Sequence, residues 1–125
     1  MGSVQTILVL SGLWVLILLN AQATWGILQK GLGAMLGPRD DVGPLEGRAA
    51  RLDRAKDNSI VAFALFAPAA LLNLQATGSA LLAAQIFLIA RLAYPFIYVF
   101  GWPGVRTIVW TAGMLATVWL YLVAL

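Results

Sequence analysis

The chain has 125 residues, of which 62% are hydrophobic, and its formal net charge is +3. A chain this apolar has too little polar surface to coat a soluble globule, so the composition indicates an integral membrane protein of one domain. The absence of cysteine and histidine excludes disulfides, Cys/His metal sites and imidazole acid–base chemistry, and no metal site is predicted. Acids and bases are mixed rather than gathered into a patch of one sign, which argues against a nucleic-acid partner.

Four helices are predicted in chain order, separated by short polar connections. Eleven of the thirteen charged residues lie between Lys30 and Asp57, and the sequence on either side is mostly apolar. A transmembrane helix needs about 20 apolar residues. The helices are expected at about 4–29, 46–75, 80–100 and 107–125. Only helices satisfy their backbones within one segment in lipid, so the sequence predicts an all-α, four-transmembrane-helix bundle, a single domain over residues 1–125.

The basic residues indicate how this bundle crosses the membrane. Six of them lie in the first connection and the start of the second helix, and Arg106 lies in the third connection. Lys and Arg in short loops favour the cytoplasmic side. Both connections are therefore expected in the cytoplasm, with both termini on the opposite side.

The charged start of the second helix is the first candidate functional feature. Arg51, Arg54 and Asn58 share one helix face because they are three and four residues apart. The same segment also fits a solvated helix start with ion pairs at three-residue spacing, such as Asp53 with Lys56. The spacing alone leaves both interpretations open.

Arg91, deep in the predicted third span, is the second feature. A guanidinium at mid-bilayer costs at least about 2.5–3.5 kcal/mol, so it is expected to face the bundle interior and to be paired. Snorkelling is the competing explanation, although the distance to Phe100 is about 14 Å at helical rise. Pro95 removes the amide that would bond the Arg91 carbonyl, which predicts a bend.

Two tyrosines extend this feature toward the end of the third helix. Tyr94 and Tyr98 share a face with Arg91, which places one cation and two phenols in a column. The tyrosines also fit as ordinary residues of the membrane interface. Together with the second helix, the column predicts a cationic, hydroxyl-lined pocket that opens toward the cytoplasm and suits a small anion.

At these residues the sequence resembles the MAPEG family, the membrane-associated proteins in eicosanoid and glutathione metabolism, and in particular its bacterial members. The resemblance is carried by Gly37-Pro-Arg39-Asp40-Asp41, by Arg51-Leu-Asp-Arg54-Ala-Lys-Asp-Asn58, and by Ala90-Arg91-Leu92-Ala93-Tyr94 followed by Tyr98, Pro103 and Arg106. It implies a homotrimer of four-helix bundles among the lipids of a bacterial inner membrane.

The resemblance also implies a glutathione S-transferase or glutathione peroxidase that acts on a lipophilic small molecule, with glutathione as co-substrate. The residues that match glutathione-contacting positions are Arg51, Arg54, Asn58, Arg91, Tyr94 and Tyr98. Arg106 lies one residue from the position of the family's thiol-activating arginine and is the implied catalytic residue.

Val61 departs from the family pattern, which usually has a glutamate three residues after the asparagine. Valine cannot pair with the amino group of glutathione, so weakened binding is expected. The alternative is a MAPEG-fold protein without glutathione chemistry, either a lipid- or anion-binding protein or a structural trimer. A small multidrug transporter ranks last, because no acidic residue lies within the apolar spans.

Overall fold

The structure, a computed structural model, describes residues 2–33 and 45–125. Within these ranges the chain forms four long helices and no β-strand: α1 Val4–Lys30, α2 Gly47–Leu71, α3 Ser79–Phe100 and α4 Pro103–Val123. The all-α four-helix bundle predicted from the sequence is confirmed. The Gly37-Pro-Arg39-Asp40-Asp41 motif lies outside the described residues.

Three of these helices, α1, α3 and α4, are long and apolar enough to cross a membrane. α2 differs because its first half is charged, and its apolar stretch from Ile60 to Leu72 covers only about 20 Å at helical rise. That length is shorter than the roughly 30 Å hydrocarbon core of a bilayer. The polar half of α2 ends at Ser59, and the apolar half begins at Ile60.

Local sequence explains where several helices begin and end. The hydroxyl of Ser3 caps α1 by accepting a hydrogen bond from the Thr6 amide at 3.2 Å. Gly101 ends α3 in the left-handed region (φ 78°, ψ 41°). Pro103 is the first residue of α4. Its fixed φ suits a helix, and an N–H at the first helical position would have no acceptor within the helix, so its absence costs nothing. α4 therefore begins at Pro103 rather than at residue 107, and α2 ends at Leu71 rather than at residue 75.

α3 lies at the centre of the bundle and contacts each of the other three helices. The apolar core occupies the end of the bundle that is distant from the charged start of α2, where the rings of Phe66 and Phe87 stack in parallel with centroids 3.8 Å apart. Alanines surround this pair and let the helices approach closely. α2 and α4 contact each other much less than each contacts α3. A groove therefore opens between α2 and α4, with α3 as its floor.

Trp14 of α1 supplies the hydrogen bond that Pro95 removes from α3. The indole Nε1 donates to the Arg91 carbonyl oxygen at 2.9 Å. α3 continues through Pro95 to Phe100. The carbonyl that would otherwise lack a partner is thus satisfied by a neighbouring helix.

We expect Trp14→Phe to lower the free energy of unfolding by about 1–3 kcal/mol, because it leaves this carbonyl without a donor inside the bundle. A Phe ring keeps most of the packing, including the contact with Phe96, whose ring centroid lies 6.0 Å from that of Trp14. Denaturant unfolding in detergent, followed by circular dichroism, measures the change. Trp119→Phe, at an indole on α4 that is 46% exposed, is the control. Equal stability of the two variants would contradict this role.

Candidate functional site

The groove between α2 and α4 contains two neighbouring cavities that share Asn58 and Trp110. The first, here called the polar cavity, has a volume of about 320 Å³ and is lined chiefly by Arg54, Asn58, Tyr94, Tyr98, Arg106 and Trp110. The second, here called the apolar cavity, has a volume of about 280 Å³. Its walls are mostly aliphatic and aromatic, and Asn58 and Arg91 stand at its polar end.

Arg91 ties α3 to α2. Its Nη2 donates to the Asn58 Oδ1 and to the Ser59 Oγ, both at 2.9 Å, and its guanidinium carbon lies 4.3 Å from the centre of the Tyr94 ring. The side chain is 5% exposed. Arg91 therefore points inward and is paired, as its position in the span predicts. It lines the apolar cavity, whereas the tyrosines of its column line the polar one.

Tyr98 lies between two arginines that come from different helices. The Arg54 Nε of α2 donates to the Tyr98 hydroxyl at 3.1 Å, and the Arg106 guanidinium carbon of α4 lies 4.7 Å from the centre of the Tyr98 ring. The Tyr94 ring is the next neighbour, at a centroid distance of 5.7 Å. A phenol ring attracts cations through its face but carries no charge. The two guanidinium groups therefore keep their positive charge available to a ligand.

Arg51 is held against the end of α3 by the backbone. The Arg51 Nη1 donates to the Val99 carbonyl at 3.2 Å. A Cβ at Gly101 would lie 3.1 Å from this Nη1. Glycine is needed there both for its φ of 78° and for this approach. Arg51, Arg54 and Arg106 together line a third, smaller cavity of about 190 Å³ beside the polar one.

Two carboxylates near the start of α2, those of Asp53 and Asp57, form ion pairs with a lysine. The Lys56 Nζ lies 3.1 Å from Asp53 and 2.8 Å from Asp57. Burial alone would lower the pKa of Lys56, but the hydrogen bonds to Asp57 and Asp53 and the negative charges of these residues together raise that pKa. Among the described residues, the arginines around the cavities are thus held by neutral groups only, and the site carries an excess of positive charge.

The structure brings five of the predicted site residues together and adds one. Arg54, Asn58, Tyr94, Tyr98 and Arg106 line a single cavity, Arg51 lines the adjoining one, and Arg91 reaches them through Asn58. The added residue is Trp110, which lines both the polar and the apolar cavity. It lies four residues after Arg106 and so shares its helix face, which is the sequence signal that points to it.

We expect Gly101→Ala to destabilise the protein by about 1–3 kcal/mol, because alanine is strained at this φ and its Cβ would displace Arg51 from the Val99 carbonyl. Gly104→Ala is the matched control, since a Cβ there meets nothing within 4 Å. Thermal unfolding of both variants in detergent measures the difference. A Gly101→Ala variant as stable as Gly104→Ala would contradict the requirement for glycine.

Comparison with known proteins identifies one family. The family model described as the MAPEG family matches residues 4–125, which include all four helices and every predicted site residue. No curated protein matches the chain, and no solved structure matches it. The comparison therefore gives the family and names no ligand.

Proposed function

The chain belongs to the MAPEG family, and on that basis we propose that it is a membrane-bound glutathione transferase or peroxidase acting on lipophilic electrophiles. Members of this family generally use glutathione. The observation that carries the proposal is the polar cavity, in which Arg54 and Arg106 face one tyrosine and have no carboxylate partner among the described residues. Such a cavity favours a small, water-soluble anion.

The residues present fit the acidic part of glutathione. The tripeptide carries two carboxylates, and arginine binds carboxylates through charge-assisted hydrogen bonds. Arg54 and Arg51 are the groups that would hold them, with Asn58 as a neutral donor beside Arg54. A bound glutathione supplies a thiol as the nucleophile. Arg106 lines the same cavity, and a nearby cation lowers the pKa of a thiol, so we assign thiol activation to this residue.

The residues fit the amino group of glutathione less well. Val61 lines the apolar cavity rather than the polar one, and its aliphatic side chain offers no countercharge. Asp57 is the acidic residue next to Asn58, and it pairs with Lys56 at 2.8 Å. An ammonium that lacks a partner in a partly buried site reduces affinity. We therefore propose that glutathione binds weakly and that the transferase activity is low.

We expect Val61→Glu to tighten glutathione binding by about tenfold, because it supplies the missing countercharge. Isothermal titration calorimetry with glutathione on the purified protein measures the effect. Ile60→Glu is the matched control, since Ile60 is exposed but does not line either cavity. Near-micromolar affinity in the unmodified protein would contradict the weakened site, and an Arg54→Leu variant with unchanged affinity would contradict its location.

A MAPEG-fold protein without glutathione chemistry is the second candidate. The observation that favours it is the continuous apolar wall formed by Val61, Ala62 and Leu65 directly beside Asn58. Such a protein would hold a lipid or another anion in the same groove, or serve as a structural trimer. Glutathione-dependent turnover of a lipophilic electrophile, abolished by Arg106→Leu, separates the two candidates in favour of the enzyme.

We further propose a homotrimer in a bacterial inner membrane, with the polar cavity on the cytoplasmic side and both termini on the other side. The chain has no cysteine, so single-cysteine variants report topology without background. Gly2→Cys and Glu46→Cys are expected to react with an impermeant maleimide from opposite sides of the membrane. Labelling from the same side would contradict the topology, and a native mass of a monomer or dimer would contradict the trimer.

A further inference from the structure

We propose that Arg91 is a positioning residue for the ligand of the polar cavity, and that it acts through Asn58. Arg91 holds the side-chain amide of Asn58 with its NH2 group turned toward the polar cavity, where this group donates a hydrogen bond to an oxygen of bound glutathione. Arg91 itself does not contact the ligand. The identity of the ligand rests on the proposed function, whereas the orientation of the amide rests on contacts within the protein.

Arg91 determines which end of the Asn58 amide faces it. A guanidinium group has N–H donors and no acceptor, so only the oxygen of an amide can bond to it. The Arg91 Nη2 donates to the Asn58 Oδ1 at 2.9 Å. The oxygen and the nitrogen of an amide lie on different sides of one planar group. The Asn58 Nδ2 is therefore turned away from Arg91.

The Arg91 guanidinium is itself held firmly enough to impose this orientation. Its Nη2 also donates to the Ser59 Oγ at 2.9 Å, and its guanidinium carbon lies 4.3 Å from the centre of the Tyr94 ring. The side chain is buried, whereas that of Asn58 is only partly buried. A group whose rotamer is locked by packing and by further hydrogen bonds can fix a more exposed neighbour that contacts a ligand.

The free end of the Asn58 amide is available to a ligand in the polar cavity. Asn58 lines both cavities, whereas Arg91 lines the apolar one and not the polar one. Among the described residues, the side-chain hydrogen bond of Asn58 involves Oδ1 alone, so the two N–H donors of Nδ2 have no protein acceptor there. Because Nδ2 is turned away from Arg91, these donors face the cavity that Arg91 does not line.

This orientation matters because an amide can present either a donor or an acceptor. Without Arg91, the Asn58 amide could rotate and place its oxygen in the polar cavity, beside Arg54. The oxygen would then pair with an arginine of the site and repel the carboxylates and carbonyls of the ligand. Arg91 thus makes Asn58 a donor, in agreement with the positive charge of Arg54 and Arg106.

A double-mutant cycle on glutathione affinity tests whether Arg91 acts through Asn58. Asn58→Ala, Arg91→Met and the double variant are compared with the unmodified full-length protein in detergent by NMR titration, which suits weak binding. Each single variant is expected to weaken binding by about tenfold, and the double variant by no more than either single one. Additive losses, about a hundredfold in the double variant, would show that Arg91 acts on the ligand directly and would overturn the proposal.

Ser59→Ala is the matched control for a merely structural role of Arg91. It removes the other acceptor of Nη2 and leaves the bond to Asn58 in place. Its stability is expected to fall, since a buried donor loses its partner, while its glutathione affinity stays unchanged. A loss of affinity in Ser59→Ala equal to that in Arg91→Met would mean that Arg91 only holds the helices together, and would overturn the positioning role.

The NH2 signal of Asn58 reports the contact with the ligand in the unmodified protein. The chain has three asparagines, so selective ¹⁵N labelling gives three side-chain signals, and Asn58→Ala identifies the one of interest. Asn20 and Asn73 already donate to backbone carbonyls and serve as internal references. Glutathione is expected to shift the Asn58 signal saturably and to leave the other two unchanged. An unmoved Asn58 signal at saturating glutathione would overturn the proposal.

The ligand-free protein separates this proposal from the proposed function. By ¹⁵N relaxation, the Asn58 amide is expected to be as rigid as that of Asn73, to become mobile in Arg91→Met, and to stay rigid in Ser59→Ala. A mobile Asn58 amide in the unmodified protein would overturn the positioning role even if glutathione binds. A rigid, Arg91-dependent amide in a protein that does not bind glutathione would support that role and contradict the proposed function.

Discussion

The Arg91 guanidinium joins α3 to α2 through Asn58 and Ser59, and the Arg91 carbonyl joins α3 to α1 through Trp14. One residue thus connects three helices, at the level where the charged half of α2 meets its apolar half. Asn58, at one end of this contact, lines both cavities of the groove, and Arg91 lines the apolar one. The polar cavity lies on the side of the charged helix start, and the apolar cavity lies on the side of the core.

The charges around this contact explain why the groove favours anions. Asp53 and Asp57 both pair with Lys56, which leaves the arginines with phenol groups, carbonyls, an amide and a hydroxyl as partners within the described part of the chain. Arg54 and Arg106 direct this positive charge to the polar cavity, and Arg91 directs it to the apolar one. The positive charge of the groove is therefore divided between two cavities of different polarity.

The sequence predicts the parts of this site that depend on local spacing and on the cost of charge in lipid. Helix periodicity groups Arg54 with Asn58, and the penalty for a lipid-exposed guanidinium predicts that Arg91 points inward. The donor to the Arg91 carbonyl could not be predicted, because it depends on which helix packs beside Pro95. The assignment of Arg91 and Tyr94 to different cavities depends on side-chain rotamers, which spacing along a helix does not determine.

A double-mutant cycle between Arg91 and Asn58 tests most directly whether this contact organises the bundle. The variants Arg91→Leu, Asn58→Leu and the double variant are compared with the unmodified protein by denaturant unfolding in detergent. If the Arg91–Asn58 hydrogen bond holds α3 to α2, the coupling energy is expected to be about 1–2 kcal/mol. Additive effects, within about 0.5 kcal/mol, would contradict the central role of Arg91.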